Sequence, residues 1–122
     1  VLSLNCPLTD ETHHLIDEET LDLMQEHAIL INISRGPVVD EAALAKALHS
    51  KKIAGAGLDV YEFEPKVHPD LLTAPNCTLL PHIASATHET REAIGMLAAT
   101  AIKQVLQGVA DKNITNLVTS KS

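Results

Sequence analysis

Aromatic side chains are almost missing from this sequence: one Tyr, one Phe and no Trp among 122 residues, 2% in all. Modules that bind single-stranded nucleic acid stack bases on aromatic platforms, so the composition counts against that class. Cationic residues are scarce too. Nine Lys and Arg face sixteen Asp and Glu, a formal charge of −7 with His neutral, and such a surface repels nucleic acid and anionic membranes. Any anionic ligand must be met by a local positive feature set against that field. Long apolar runs are also lacking, and none approaches the ~20 residues that span a bilayer. The opening Val1-Leu2-Ser3-Leu4-Asn5-Cys6-Pro7 has neither the charged start nor the cleavage site of a secretory signal, and it has no initiator Met. A piece of a longer chain is the expectation. Cysteine is limited to Cys6 and Cys77, which match no zinc or redox spacing and are expected as reduced thiols in a cytoplasmic protein.

What is present is aliphatic. Apolar residues make up 45% of the chain, ample for a core of Ala, Val, Ile and Leu. Four short apolar segments, near residues 1–5, 28–33, 53–60 and 77–81, recur at intervals of about 25 residues, the size of a βα unit. The middle two are nearly continuous, the pattern of parallel strands buried on both faces. Helical patterns separate the first three. Asp17 is placed to cap a helix running to about Glu26, with Ile16 and Leu21 as a hydrophobic staple. Asp40 repeats the device with Val39 and Leu44, and its helix ends near Ser50. Between Val60 and Cys77 there is only a proline-bearing loop. The last helix opens at Thr87 and carries an apolar stripe of Ile94, Leu97, Ala98, Ala101, Ile102, Val105 and Leu106 up to Gly108. Strand–helix–strand order with short connections predicts an α/β fold: four parallel strands in sequential order, flanking helices and right-handed crossovers. The segment at residues 1–4 is expected at a sheet edge.

Ligands of open parallel sheets bind beyond the carboxyl ends of the strands. Those ends supply Cys6-Pro7, Ser34-Arg35-Gly36, Asp59 and Pro81-His82, with Glu64 in the loop after the third strand. An acidic protein gains no solubility from placing rare cations there, so the convergence is informative. Arg35 reads either as a surface partner of Asp40 or Glu41, or as a planar fork for a substrate carboxylate. His82 reads as a loop histidine or, accompanied by Glu64, as an acid/base group. Glu64 should then lie within hydrogen-bonding reach of His82, with Arg35 facing the same cavity from the neighbouring strand end. Glu62 is the decoy carboxylate. Asp59 either caps the following loop or accepts hydrogen bonds from a ligand amide. Gly55-Ala56-Gly57 contains a GxG but no third glycine and no helix after it, so its glycines are expected to let a helix approach the sheet. His13, His14, His27, His49, His68 and His88 show no metal-ligand spacing and default to solvated or helix-end positions.

In their order and spacing these blocks resemble the C-terminal part of a D-isomer-specific 2-hydroxyacid dehydrogenase. The matching stretches are Asn5-Cys6-Pro7-Leu8-Thr9-Asp10-Glu11-Thr12, Leu30-Ile31-Asn32-Ile33-Ser34-Arg35-Gly36 with Val39-Asp40-Glu41-Ala42-Ala43-Leu44, Ala54-Gly55-Ala56-Gly57-Leu58-Asp59-Val60 through Glu64-Pro65, and Leu80-Pro81-His82-Ile83. Within the family, Ser85-Ala86-Thr87-His88-Glu89-Thr90-Arg91 is similar to the glyoxylate/hydroxypyruvate and 2-ketogluconate reductase subgroup, and the Trp that corepressor relatives carry after the histidine is absent. Ala84 departs from the subgroup, which usually has Gly there, and its methyl group would stand close to the nicotinamide.

The resemblance implies the second half of a Rossmann-type nucleotide-binding domain over residues 1–107. Residues 108–122 would be a tail returning to a substrate domain. It implies that Arg35 binds the substrate carboxylate, that His82 donates a proton to the keto oxygen, and that Glu64 keeps the imidazole protonated. Asp59, Ile33 and Ser34 would hold the carboxamide end of an NAD or NADP cofactor, with NADP favoured by the subgroup. Cys6, Pro7, Ala84 and Ser85 would line its ring. The implied partner is a small 2-keto or 2-hydroxy acid, in a homodimeric parent that binds neither nucleic acid nor membrane. A dinucleotide-sensing corepressor on the same fold and an inactive truncated remnant are the alternatives. The chain contains no Gly-x-Gly-x-x-Gly turn, so by itself it is expected to be catalytically silent.

Overall fold

The computed structural model describes residues 1–109 and 113–114. They fall into two compact units, Val1–Ala84 and Ser85–Ser122. The first holds four strands, β1 (Leu2–Leu4), β2 (Ile29–Asn32), β3 (Gly55–Leu58) and β4 (Cys77–Leu79), in the order β1-β2-β3-β4. Every neighbouring pair is parallel, with Leu30 opposite Ala56 and Leu58 opposite Leu79. The four predicted strands and their sequence are therefore present. β1 is an edge.

Two helices make the crossovers. α1 (Glu18–Asp22) starts at Asp17, whose carboxylate accepts from Thr20 N while the Thr20 hydroxyl answers the Asp17 backbone N–H, a reciprocal capping box. The staple residues Ile16 and Leu21 are both buried. α1 stops at Asp22, short of the expected Glu26. Leu23 and Met24 donate to the carbonyls three residues back, tightening the last turn, and Leu23 projects into solvent. α2 (Glu41–His49) begins as predicted at Asp40, which accepts from Ala43 N, and Val39 and Leu44 are buried beside it. A 3₁₀ turn at Gly36–Val38 precedes α2, and a second at Pro69–Leu72 interrupts the predicted loop before β4. Pro69 sits where a first helical turn needs no N–H.

The core lies on one face of the sheet. Leu4, Leu30, Ala56 and Leu58 point into it, against Leu21, Leu44, Leu48, Ile53 and Leu71. Burial on both faces, expected from the continuous apolar runs, is not found in this unit. Ile29, Ile33 and Leu80 remain exposed on the opposite face. The reason is topological: right-handed crossovers between strands laid down in sequential order put both helices on the same side. The glycines of β3 also differ from expectation, because within the first unit their nearest neighbours come from β2 and from the residue just before β4 rather than from a helix. A Cβ on Gly55 would lie 2.7 Å from the Asn76 carbonyl oxygen, and one on Gly57 would lie 3.0 Å from Ile31 Cδ1. They admit the chain entering β4 and the neighbouring Ile31 side chain.

The second unit is built on α3 (His88–Leu106), capped by Thr87, which accepts from Thr90 N. It ends at Gly108 in the left-handed region (φ +68°), with Gly108 N donating to Val105 O and Val109 N to Gln104 O. That is the paired closure of a Schellman turn, which glycine adopts without strain. Most of the tail assigned to residues 108–122 lies outside the described residues. Among the described residues no helix is long and apolar enough to cross a membrane.

Candidate active site

β4 ends at Leu79, and three residues later His82 takes up a left-handed backbone conformation, φ +56°. Few non-glycine residues sit there, and such positions gather at sites where a side chain must be aimed. The aim here is specific. His82 Nδ1 lies 2.9 Å from Glu64 Oε2, and no hydrogen bond occupies Nε2 among the described residues. The second oxygen of the same carboxylate, Oε1, accepts from Tyr61 N at 3.1 Å. Glu64 is thus fixed from its own loop and presents one oxygen to the ring. The Glu64–Pro65 peptide bond is cis. The bond from His82 holds the Glu64 carboxyl below the usual carboxylate range; desolvation opposes it, and the Tyr61 N–H adds to the lowering.

Asp59 holds the other side of the His82 turn. It is buried, with Oδ1 accepting from Ile83 N and Oδ2 from Ala84 N, each at 2.7 Å. The carboxylate thus holds the turn after β4 rather than the loop that follows Asp59 itself, which corrects the loop-capping expectation. Ala84 takes part through its backbone and is otherwise exposed, while exposed Ser85 opens the second unit. Tyr61, the one tyrosine, ties the strand ends together. Its buried hydroxyl donates to the Leu80 carbonyl at 2.7 Å, and burial, followed by the nearby Asp59 charge, pushes the phenol up so that it stays a donor.

At the end of β2 the buried Asn32 shapes the next turn. Its Nδ2 donates to Arg35 O at 3.0 Å, and its Oδ1 accepts from Ser34 N and Oγ. Cys6, Pro7, Ile33, Ser34 and Arg35 line one open depression of about 600 Å³. Glu64 and His82 line another, of about 580 Å³, with Tyr61, Leu79 and Pro81. The expectation that Arg35 faces the same cavity as His82 is therefore corrected. β3 stands between β2 and β4, so the two strand ends are roughly 10 Å apart at ordinary strand spacing. Arg35 Nη1 moreover turns back to the Ser34 carbonyl at 2.7 Å.

Glu62 is drawn away from the site. Its Oε1 lies 2.6 Å from His14 Nε2, and its Oε2 accepts from Glu41 N. That also corrects the assignment of His14 to solvent, since it is half-buried and partnered. Two positions that shape the site, Tyr61 and Asn32, were not singled out from the sequence. A polar residue in an apolar strand flags Asn32, whereas Tyr61 carries no local signal.

The family model that matches is "D-isomer specific 2-hydroxyacid dehydrogenase, NAD binding domain", over residues 1–84, the extent of the first compact unit. The chain belongs to this family. It is 52% identical over 116 residues to glyoxylate/hydroxypyruvate reductase B of Enterobacter agglomerans, covering 94% of this chain and 36% of that protein. It is 50% identical over 115 residues to glyoxylate reductase of Thermococcus litoralis, covering 94% of this chain and 35% of that one. Among solved structures, the NADPH-dependent glyoxylate/hydroxypyruvate reductase of Sinorhizobium meliloti, in complex with NADP and malonate, superposes with a TM-score of 0.82 at 44% identity. That match covers 86% of this chain and 33% of the other. This member of the family thus spans about a third of the length of its relatives.

Proposed function

We propose that this chain is the nicotinamide-facing part of an NAD(P)H-dependent reductase that converts a small 2-keto acid of the glyoxylate or hydroxypyruvate type into the D-2-hydroxy acid. The observation that carries the reading is the Glu64–His82 pair, in which Glu64 takes Nδ1 and leaves Nε2 to face a ligand. A histidine held in this way can carry a proton at Nε2 when its ring is charged and return to a neutral Nδ1–H form after giving it up. His82 Nε2 protonates the keto oxygen, and the ionised Glu64 stabilises the ring before transfer. Arg35 is the cation for the substrate carboxylate in an otherwise acidic protein, and must leave the Ser34 carbonyl to engage it.

The depression of Cys6, Pro7, Ile33, Ser34 and Arg35 fits a flat heteroaromatic ring with a polar substituent: apolar Pro7, Leu8 and Ile33 line it together with polar Asn5, Ser34 and Arg35. The bound dinucleotide supplies the hydride. Asp59 contributes by holding Ile83 and Ala84, and with them His82, in place. NADPH is the preferred donor on the analogy of the S. meliloti relative.

The test is a steady-state assay of glyoxylate and hydroxypyruvate reduction in the protein that carries this chain. His82→Ala lowers kcat by about 10²–10⁴-fold, the usual contribution of a positioned acid. Arg35→Ala raises KM by about tenfold or more through loss of the carboxylate contact. Full activity in the His82 variant overturns the assignment.

A further inference from the structure

Glu41 is the one buried glutamate among the described residues, 3% exposed, and it sits at the first position of α2. A carboxylate there ordinarily stays in water, where the helix dipole favours it. Nor is Glu41 needed as a cap, since Asp40 already accepts from Ala43 N. Both of its oxygens are spent elsewhere. Oε1 accepts from Glu62 N at 2.9 Å and Oε2 from His68 N at 3.1 Å. One carboxylate therefore clamps both ends of the loop whose middle carries Glu64. Glu62 returns the bond, its Oε2 accepting from Glu41 N, while its Oε1 meets His14. The clamp is continuous with Tyr61, whose N–H fixes Glu64 and whose hydroxyl reaches the strand from which His82 emerges.

We propose that Glu41 is a positioning residue: by gripping the two ends of the 62–68 loop it sets Glu64 against Nδ1 of His82. The inference rests on the function proposed above for that pair, although the geometry it explains is independent of any reaction. Burial of an ionised carboxylate is unfavourable, and here it is offset by two charge-assisted backbone bonds. The desolvation shows in the Glu41 carboxyl, which is pushed up by burial first, while the bonds from Glu62 and His68 pull it down. The Glu62 charge pushes it further up, and His68 counters that. A glutamine of the same shape keeps one acceptor and turns an amide donor toward the second N–H, so one end of the clamp opens.

The tautomer of His82 reads the result. With Glu64 as acceptor, the neutral ring carries its proton on Nδ1, and without it a free imidazole prefers the other nitrogen. Long-range ¹H–¹⁵N spectra of the full 122-residue chain, above the ring's titration, distinguish the two forms. Wild type is expected to show the Nδ1–H form, and Glu64→Ala the reference for its loss. Glu41→Gln is expected to shift toward that reference while its amide spectrum stays folded. A Glu41→Gln chain that loses stability but keeps the wild-type tautomer overturns the proposal, since that is what a merely structural carboxylate would do. Should this variant not fold, amide exchange of the wild type decides. The Glu62, His68 and Tyr61 amides should exchange in step, at least about tenfold more slowly than the Glu64 and Val67 amides between them. Fast exchange at Glu62 and His68 sinks the clamp. Absence of keto-acid reduction in the protein that carries the chain would remove the proposed reaction but leave these signatures intact, so the two failures are distinguishable.

Discussion

At the scale of single residues, the carboxylate and imidazole of the Glu64–His82 pair hold each other. Their side chains are 37% and 50% exposed, so the link is open to water and adds little to stability. Its value is directional. The Glu64 carboxyl titrates low chiefly because of the bond from His82. A group whose folded value is depressed contributes its stability above the ordinary carboxylate value and loses it as the pH falls through the depressed one. Removing the ring therefore has a signed consequence: in His82→Ala the Glu64 carboxyl should titrate higher, back toward the usual range. Carbon-13 NMR of the Glu64 side-chain carboxyl across the acid range measures it. An unmoved titration would assign the low value to Tyr61 N–H instead. Strand-end position made His82 legible in the sequence, whereas the choice of Glu64 over the nearer Glu62 came from the family resemblance. The separation of Arg35 from them was not legible. Strand-end position gives the rim on which a residue lies, but lateral distance is set by the strand order, in which β3 intervenes.

At the scale of elements, the strands and caps were legible because their signals are local. Asp17 and Asp40 sit one residue before acidic first turns, between apolar staple partners that are buried as predicted. The connections between elements were less legible, because they depend on backbones that meet across the fold. Gly36 is the sharpest case. A Cβ placed there would stand 1.9 Å from both the carbonyl carbon and oxygen of Tyr61, and 2.5 Å from Glu62 N. The turn that carries Arg35 is thus pressed against the loop that carries Glu64, and only a glycine allows the contact. No side-chain rotation relieves a clash with backbone. Gly36→Ala should destabilise the first unit by about 3 kcal/mol, the upper part of the overpacking range, measured as a fall in the urea midpoint at unchanged slope. The same variant should disturb the Glu64–His82 pair, because the segment forced to move begins at Tyr61. A midpoint within error of wild type would mean that the two backbones are not so closely apposed.

At the scale of the whole molecule, the chain has the side chains proposed above to react, but its sequence has no Gly-x-Gly-x-x-Gly turn of the kind that makes a dinucleotide bind tightly. Pyrophosphate is ordinarily gripped where a glycine-rich turn feeds a helix N-terminus, whose N–H groups and dipole meet the charge. Gly55 and Gly57 instead lie within β3, and the chain runs on from them through Asp59 into an irregular loop rather than a helix. The net charge of −7 works against a polyanion as well. The reacting groups are, moreover, open to water: His82 and Arg35 are both exposed, so nothing strengthens their electrostatics as a closed site would. The reduction proposed above would depend on a second surface to exclude solvent and bring Arg35 and His82 onto one substrate. The 122-residue chain taken by itself should accordingly bind NADH and NADPH only weakly, and should not turn over glyoxylate or hydroxypyruvate at a measurable rate. Fluorescence titration with each dinucleotide, and then assay of both keto acids at high enzyme concentration, tests this directly. Micromolar binding together with turnover would mean that these residues form a complete site, in which Arg35 crosses the width of β3 to reach the substrate that His82 protonates.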